Sequence, residues 1–219
     1  MTSMRAEMAK REDMVKRIDQ VLDACPVMPV LVINDVKQAR PIAEALVSNG
    51  VTTLEVTLRT PCAIEVIQEM AKVPGALVGA GTVLHGQHVR QAKAAGAQFV
   101  VSPGITTELV RSALAADMPI LPGTATISDI MMGMDMGLNR FKFFPAVLNG
   151  GIPKLKAFSG VLGHTGLRFC PTGGIDGSTW KDWLQLPTVA CVGGSWLTSG
   201  NATPEEVAKR AAALGLKKK

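Results

Sequence analysis

The chain has 219 residues, 47% of them apolar, which suits one ordered domain with a sizeable core and argues against disorder. Its net charge is +5, yet Tyr is absent and, apart from a KKK tail, the basic residues are dispersed, so the basic stripe with interleaved aromatics of a nucleic-acid binder is missing. No apolar run could span a bilayer and the amino terminus lacks a secretion signal's apolar core, so the expected compartment is the cytoplasm, with neither membrane nor nucleic acid as partner.

Residues 1–26 read as an amphipathic helical extension. Short apolar strands then alternate with helical stretches. MPVLVI (28–33) precedes a helix at about 37–48, and TTLEVTL (52–58) precedes one at about 62–72. ALVGAGTV (76–83) leads into GQHVRQAKAAG, and AQFVVSP (97–103) into TTELVRSALAA. MPILPG (118–123) is followed by SDIMMGMDMG, whose methionines are expected on one face of a core helix. RFKFFP (140–145) precedes IPKLKAFSG, LRFCPTGG (167–174) a short helix, and TVACVGGSWL (188–197) the last helix, TPEEVAKRAAAL. Thr106, Ser128 and Thr203 are the expected N-caps, with Glu206 completing a capping box on Thr203.

Strand starts recur roughly every 20–27 residues, giving eight strand–helix units with no linker between them. That pattern predicts a single-domain (β/α)8 TIM barrel with an N-terminal helix, with an open doubly wound sheet as the competing architecture. The four cysteines at 25, 62, 170 and 191 are too dispersed for a disulfide framework and read as buried thiols.

Alternation along the strands picks out the chemistry. In TLEVTLR, Leu54, Val56 and Leu58 share the face that suits the helix layer, leaving Thr53, Glu55, Thr57 and Arg59 for the interior. In RFKFFP, Lys142 shares a face with Phe144, opposite Phe141 and Phe143. An isolated interior carboxylate is costly, so Glu55 needs a partner, and Lys142 is the obvious one. Burial between aromatics, or a nearby cation such as Arg59, favours a neutral amine, which can attack a ketone and form a Schiff base. A simple buried ion pair is the structural alternative.

Barrel sites lie at the carboxyl ends of the strands. The polar residues gathered there include Thr82, Ser102, Thr124, Thr172, Gly173, Gly174, Gly193, Gly194 and Ser195. The glycine pairs in PTGGIDG and CVGGSWL let backbone N–H groups approach an anion, with following helix starts adding to the field, although tight turns alone would also account for them. Glu55 is the candidate acid/base and Arg59 a candidate bidentate carboxylate ligand, assisted by Thr82. His85, His88 and His164 do not form a metal-ligand pattern, so no metal is expected.

Taken together, LEVTLRT, GAGTV, SPG, FKFFPA, PTGGI and GGSWL resemble the 2-keto-3-deoxy-6-phosphogluconate (KDPG) aldolases of the Entner–Doudoroff pathway, over about residues 26–197. That resemblance implies a class I aldolase on a (β/α)8 barrel, usually a homotrimer, that needs no metal and no cofactor beyond the lysine. It implies Lys142 as the Schiff-base lysine and Glu55 as the proton-transferring carboxylate. Arg59 and Thr82 would take the pyruvate carboxylate, and Gly173, Gly174, Gly194 and Ser195 the phosphate, with Phe144 and Thr172 shaping the pocket. The substrate would be a small phosphorylated keto acid. Alternatives are cleavage of 4-hydroxy-2-oxoglutarate, a preference for the galactonate epimer, or a non-catalytic phosphosugar-binding barrel in which Lys142 and Glu55 only pair.

Overall fold

The computed structural model describes residues 2–216; the KKK tail lies outside the described residues. Helix α1 (Thr2–Ala24) leads into strands β1 (Val27–Leu31), β2 (Thr53–Thr57), β3 (Leu77–Gly81) and β4 (Phe99–Val101). They are followed by β5 (Ile120–Leu121), β6 (Gly123–Thr124), β7 (Arg140–Phe143), β8 (Arg168–Pro171) and β9 (Val192–Gly194). Between the strands run α2 (Ala39–Val47), α3 (Ala63–Met70), α4 (Gly86–Ala94), α5 (Thr107–Ala115), α6 (Ile127–Asp135), α7 (Gly151–Leu162) and α8 (Trp180–Trp183), with α9 (Pro204–Ala212) last.

All strand pairings are parallel, in two arcs ordered β5-β4-β3-β2-β1-β9 and β6-β7-β8. The arcs join at both ends. β5 and β6 are halves of one strand interrupted at Pro122, which has no N–H for the ladder. The proline carbonyl still accepts from Lys142 N at 2.9 Å. On the other side β8 meets β9 through bridges Phe169–Val189 and Thr172–Gly193, with Phe169 N–H donating to Thr188 O at 2.7 Å. Eight strand positions therefore close into the expected (β/α)8 barrel.

Alternation sorts the side chains as the sequence indicates. Leu31, Leu54, Val56, Phe141 and Phe143 are buried in the core between strands and helices. A separate cluster fills the barrel floor, where Ile18, Val21 and Leu22 of α1 pack against Met28, Phe99, Val101, Leu121, Cys170 and Cys191. Thr53 Oγ1 donates to Val21 O at 3.1 Å, and Asp19 receives Arg140 Nη2 at 2.7 Å and Arg168 Nη1 at 2.9 Å. The second half of α1 is thus a stopper, apolar towards the floor and ion-paired at its rim. Burying each such aliphatic side chain is worth about 1.5–3 kcal/mol.

Three local expectations are corrected. Thr106 and Thr203 cap α5 and α9 as expected, the latter with the Glu206 capping box, but α6 is capped by Thr126, not Ser128. Thr126 wins because Asp129 lies three residues on and completes its own capping box. The α6 methionines do not form a buried face: Ile130 and Gly133 are its buried residues, and Met131 and Met132 are 55% and 42% exposed. Among the cysteines, Cys62 is only half-buried, its thiol reaching Ile33 O. The other three are buried; hydrogen bonding with Cys170, then burial, pushes the Cys191 thiol well up.

Candidate active site

Glu55 sits mid-strand on β2, paired in register with Val30 of β1 and Gly79 of β3. The glycines of β3 create its space. A Cβ on Gly81 would overlap Glu55 Oε1 and come within 2.6 Å of its Cγ, so any larger residue displaces the carboxylate. A Cβ on Gly79 would instead strike the Phe99 ring of the floor. Two glycines of GAGTV are therefore gaps filled by interior side chains.

Lys142 enters from β7. Its Nζ lies 3.0 Å from Oε1 and 3.2 Å from Oε2 of Glu55, with the two side chains 7% and 2% exposed. The ammonium also stands 5.4 Å from the centre of the Phe144 ring, within cation–π range. The ring edge in turn lies against Gly173, where a Cβ would be 3.4 Å from it. β7 and the residue that follows it thus present lysine and aromatic on one face, as the alternation requires.

The glycine-rich loops lie side by side. The Thr172–Gly193 bridge joins them, and a Cβ on Gly193 would overlap the Thr172 hydroxyl. Gly173 and Gly174 have φ of +104° and +78°, the left-handed region that only glycine enters freely. Among the described residues, the N–H groups of Gly173, Gly174 and Ser195 find no protein acceptor, leaving three donors at this corner for a ligand. The expected helix-start contribution is absent. α8 has four residues, and the N–H groups of Ser178 and Thr179 before it are taken by Asp176 at 2.9 and 3.0 Å. Hydrogen bonds from the Ser178 side chain and backbone, then Thr179, hold Asp176 at about 2. After β9 the chain makes turns until α9 begins at Pro204.

Arg59 is exposed, and no protein partner for its guanidinium is found among the described residues. It lines a cavity of about 270 Å³ together with Val30 and Ser195, across the carboxyl end of β1. Thr82 is not part of that wall. It ends β3 beside Gly81 with φ +57°, a conformation costing a β-branched residue about 1–3 kcal/mol. Ladder bonds hold it there: Leu58 N–H donates to Gly81 O at 2.8 Å and Val83 N–H to Val101 O at 3.0 Å.

The remaining polar candidates are internally satisfied. Ser102 Oγ donates to Gly104 O, Thr57 Oγ1 to Leu31 O, Thr124 Oγ1 to Lys142 O and Thr172 Oγ1 to Cys170 O. His85 and His88 stack at 3.8 Å, and burial, then the His85 charge, lower the His88 pKa. Among the described residues, no group of three or more His, Cys, Asp or Glu gathers to hold a metal.

A closed parallel barrel with a buried lysine–carboxylate pair and two glycine-rich loops at its upper mouth has the make-up of a barrel enzyme. Comparison with known proteins narrows this. The model of the family described as KDPG and KHG aldolase matches residues 18–213. The 2-dehydro-3-deoxy-phosphogluconate aldolase of Zymomonas mobilis is 53% identical over 183 residues, 84% of this chain and 87% of that protein. The crystal structure of the Z. mobilis 2-keto-3-deoxy-6-phosphogluconate aldolase with 3-phosphoglycerate superposes with a TM-score of 0.88 at 49% identity, covering 91% of this chain and 95% of that one. The Legionella pneumophila KDPG aldolase, with pyruvate captured at low pH as a covalent carbinolamine, gives 0.86 at 44% identity, covering 90% and 97%. The chain belongs to the KDPG and KHG aldolase family and is an aldolase, a carbon–carbon lyase.

Proposed function

We propose that the protein is a class I aldolase that reversibly cleaves 2-keto-3-deoxy-6-phosphogluconate to pyruvate and glyceraldehyde 3-phosphate. The observation that carries this reading is the contact of Lys142 Nζ with both oxygens of Glu55 at the mouth of a closed barrel. A proton can pass between these groups without a diffusing intermediary. Glu55 takes a proton from the lysine, and the neutral amine attacks the C2 ketone. The carboxyl group returns the proton as the carbinolamine loses water to an iminium.

The iminium then accepts the electron pair released as the C3–C4 bond breaks, while Glu55 removes the C4 hydroxyl proton and the aldehyde departs. The enamine is protonated at C3 and hydrolysed, freeing pyruvate and the amine. Arg59 and Thr82 bind the keto-acid carboxylate. The N–H groups of Gly173, Gly174 and Ser195, together with Gly194, take the phosphate, and Phe144 and Thr172 wall the pocket. The chemistry needs no cofactor beyond Lys142.

The same lysine and carboxylate suit 4-hydroxy-2-oxoglutarate, a shorter substrate that bypasses the phosphate loops. The protein is taken to act in the cytoplasm; no helix among the described residues is long and apolar enough to cross a membrane. Exposed Met131, Met132 and Leu148, the last 88% exposed, favour a homo-oligomer, with a trimer as the expected form.

Borohydride reduction in the presence of pyruvate, followed by peptide mass mapping, tests the central step. A stable adduct is expected on Lys142 alone. An adduct on another lysine, or none, removes Lys142 from the chemistry.

A further inference from the structure

Behind the last glycine-rich loop stands α9. Its Thr203–Glu206 capping box and Pro204 in the first turn fix where it starts, and Val207 and Ala211 are its buried residues. The helix packs beside α2. Arg210 lies three residues after Val207 and so flanks the buried face, half-buried itself. Its Nη1 donates to Ser199 O at 2.8 Å and Trp196 O at 3.3 Å, with Leu197 O at 3.5 Å. One nitrogen on the last helix thereby gathers three carbonyls of the turn that follows β9.

That turn belongs to the phosphate corner. Thr198 N–H donates to Ser195 O at 3.1 Å, closing the turn onto the residue whose own N–H finds no protein acceptor among the described residues. Gly200 and Asn201, with φ of +75° and +53°, then reverse the chain. Carbonyls before such a reversal need donors from elsewhere, as at the end of a helix, and Arg210 supplies them. Because each peptide unit is planar, holding these carbonyls also fixes the N–H groups of the same units. The Trp196 ring lies over Gly194, where a Cβ would overlap it, and reaches Gly177, where a Cβ would be 3.6 Å from its Nε1. A hold on Trp196 therefore steadies both glycine-rich loops. Ser195, Thr198 and Ser199 in turn line the cavity of about 270 Å³ that they share with Arg59.

We propose that Arg210 is a positioning residue for the phosphate group of the substrate: from α9 it holds the 195–199 turn so that the Ser195 N–H and the neighbouring glycines face the phosphate. The proposal rests on the phosphate reading above. It divides the reaction into two parts. Imine formation on Lys142 and proton transfer by Glu55 do not use this turn, whereas binding of a phosphorylated keto acid does. Exchange of the C3 protons of pyruvate with solvent isolates the first part. The iminium on Lys142 loses a proton from C3 to give the enamine, which takes a solvent proton back at C3. Hydrolysis then returns pyruvate, altered only in its hydrogens.

The test compares the full-length wild type with Arg210→Met, which keeps the apolar stem and removes the donors. Wild type is expected to have a lower KM for KDPG than for its unphosphorylated counterpart. In Arg210→Met the KM for KDPG should rise about tenfold, with kcat within about twofold of wild type. The KM for the unphosphorylated keto acid and the rate of pyruvate proton exchange, followed by NMR in deuterium oxide, should both stay within about twofold. Backbone hydrogen exchange should quicken in the peptide spanning 194–201 and nowhere else. An unchanged KM for KDPG overturns the proposal. So do equal losses on KDPG and on pyruvate exchange, or faster hydrogen exchange throughout the barrel, since either makes the role of Arg210 one of general stability. A raised KM with unchanged exchange in the 194–201 peptide overturns positioning in favour of a charge acting through space. A wild type with no preference for the phosphorylated substrate overturns the phosphate reading itself, and this role of Arg210 with it.

Discussion

The ammonium of Lys142 is held 3.0 and 3.2 Å from the two carboxylate oxygens of Glu55, and the barrel wall leaves neither side chain more than 7% exposed. Such a pair is poor evidence of stabilisation, because desolvation of the two charges offsets their attraction. Removing one partner leaves an uncompensated buried charge and costs about 3–5 kcal/mol. Replacing both by apolar residues of similar volume is neutral, or stabilising by about 1–4 kcal/mol. Lys142→Met with Glu55→Leu should therefore be at least as stable as wild type in urea denaturation, with each single variant less stable and all three inactive. A double variant as unstable as the worse single one would show that the pair is kept for the fold.

Gly81 sets the place of the Glu55 carboxylate, the proton carrier proposed above. An added methyl must push the carboxylate away, since a Cβ there meets the Glu55 side chain. Misplacing a reacting group by about 1 Å can cost about 100-fold in rate. Gly81→Ala should lower kcat by about that factor. Gly79→Ala meets Phe99 in the floor, and should lower stability by about 1–3 kcal/mol with a smaller effect on kcat. Steady-state kinetics beside thermal melts separate the two, and equal kinetic damage from both would sink the positioning role of Gly81.

How far the sequence disclosed this site follows from the physics of each residue. Alternation on single strands placed Glu55 with Lys142 and Lys142 with Phe144, because a barrel interior holds few charges and each needs a partner. Closure was less legible: the strand count suggested it, but the split at Pro122 and the two β8–β9 bridges appear only in three dimensions. Gly81 was missed because a glycine that makes room for a neighbour looks, in sequence, like one that makes a turn. The signal was its place on β3, beside a strand carrying an interior carboxylate. Thr82 in the left-handed region has no sequence signature at all. The α6 cap is legible in sequence only through spacing: Thr126 and Ser128 are both cap-forming residues, and Asp129 three residues after Thr126 decides between them.

Arg59 shares a cavity with Ser195 and not with Thr82, so its guanidinium would meet either the carboxylate proposed for it or a phosphate. Pyruvate carries a carboxylate and no phosphate, so it separates the possibilities. If Arg59 holds the carboxylate, Arg59→Ala should raise KM for pyruvate in the addition reaction by about 10–100-fold, the scale of a lost charge-assisted hydrogen bond. The rise should be similar for phosphorylated and unphosphorylated keto acids in the cleavage direction. A KM increase confined to phosphorylated substrates would reassign this guanidinium to the phosphate.

The stopper helix carries a pH dependence of its own. Burial pushes the Asp19 carboxyl up, but hydrogen bonds and charge from Arg140, and then from Arg168, together outweigh it and hold the group below the ordinary aspartate value of 3.8. A carboxylate more acidic in the folded than in the unfolded chain stabilises the fold fully above the unfolded value, and loses that contribution as pH falls through the folded one. Asp19→Asn should therefore lower the urea midpoint at neutral pH, and the gap from wild type should close below about pH 4. Protonation removes in the wild type what the substitution removes at every pH. Because Ile18, Val21 and Leu22 fill the floor beside this carboxylate, the loss should appear as global destabilisation of the barrel and not as fraying of α1 alone. Midpoints followed both by far-UV circular dichroism and by tryptophan fluorescence, to which Trp180 and Trp183, buried far along the chain, contribute, check this. A gap that stays constant down to about pH 3 would mean that Asp19 contributes through packing and not through its charge.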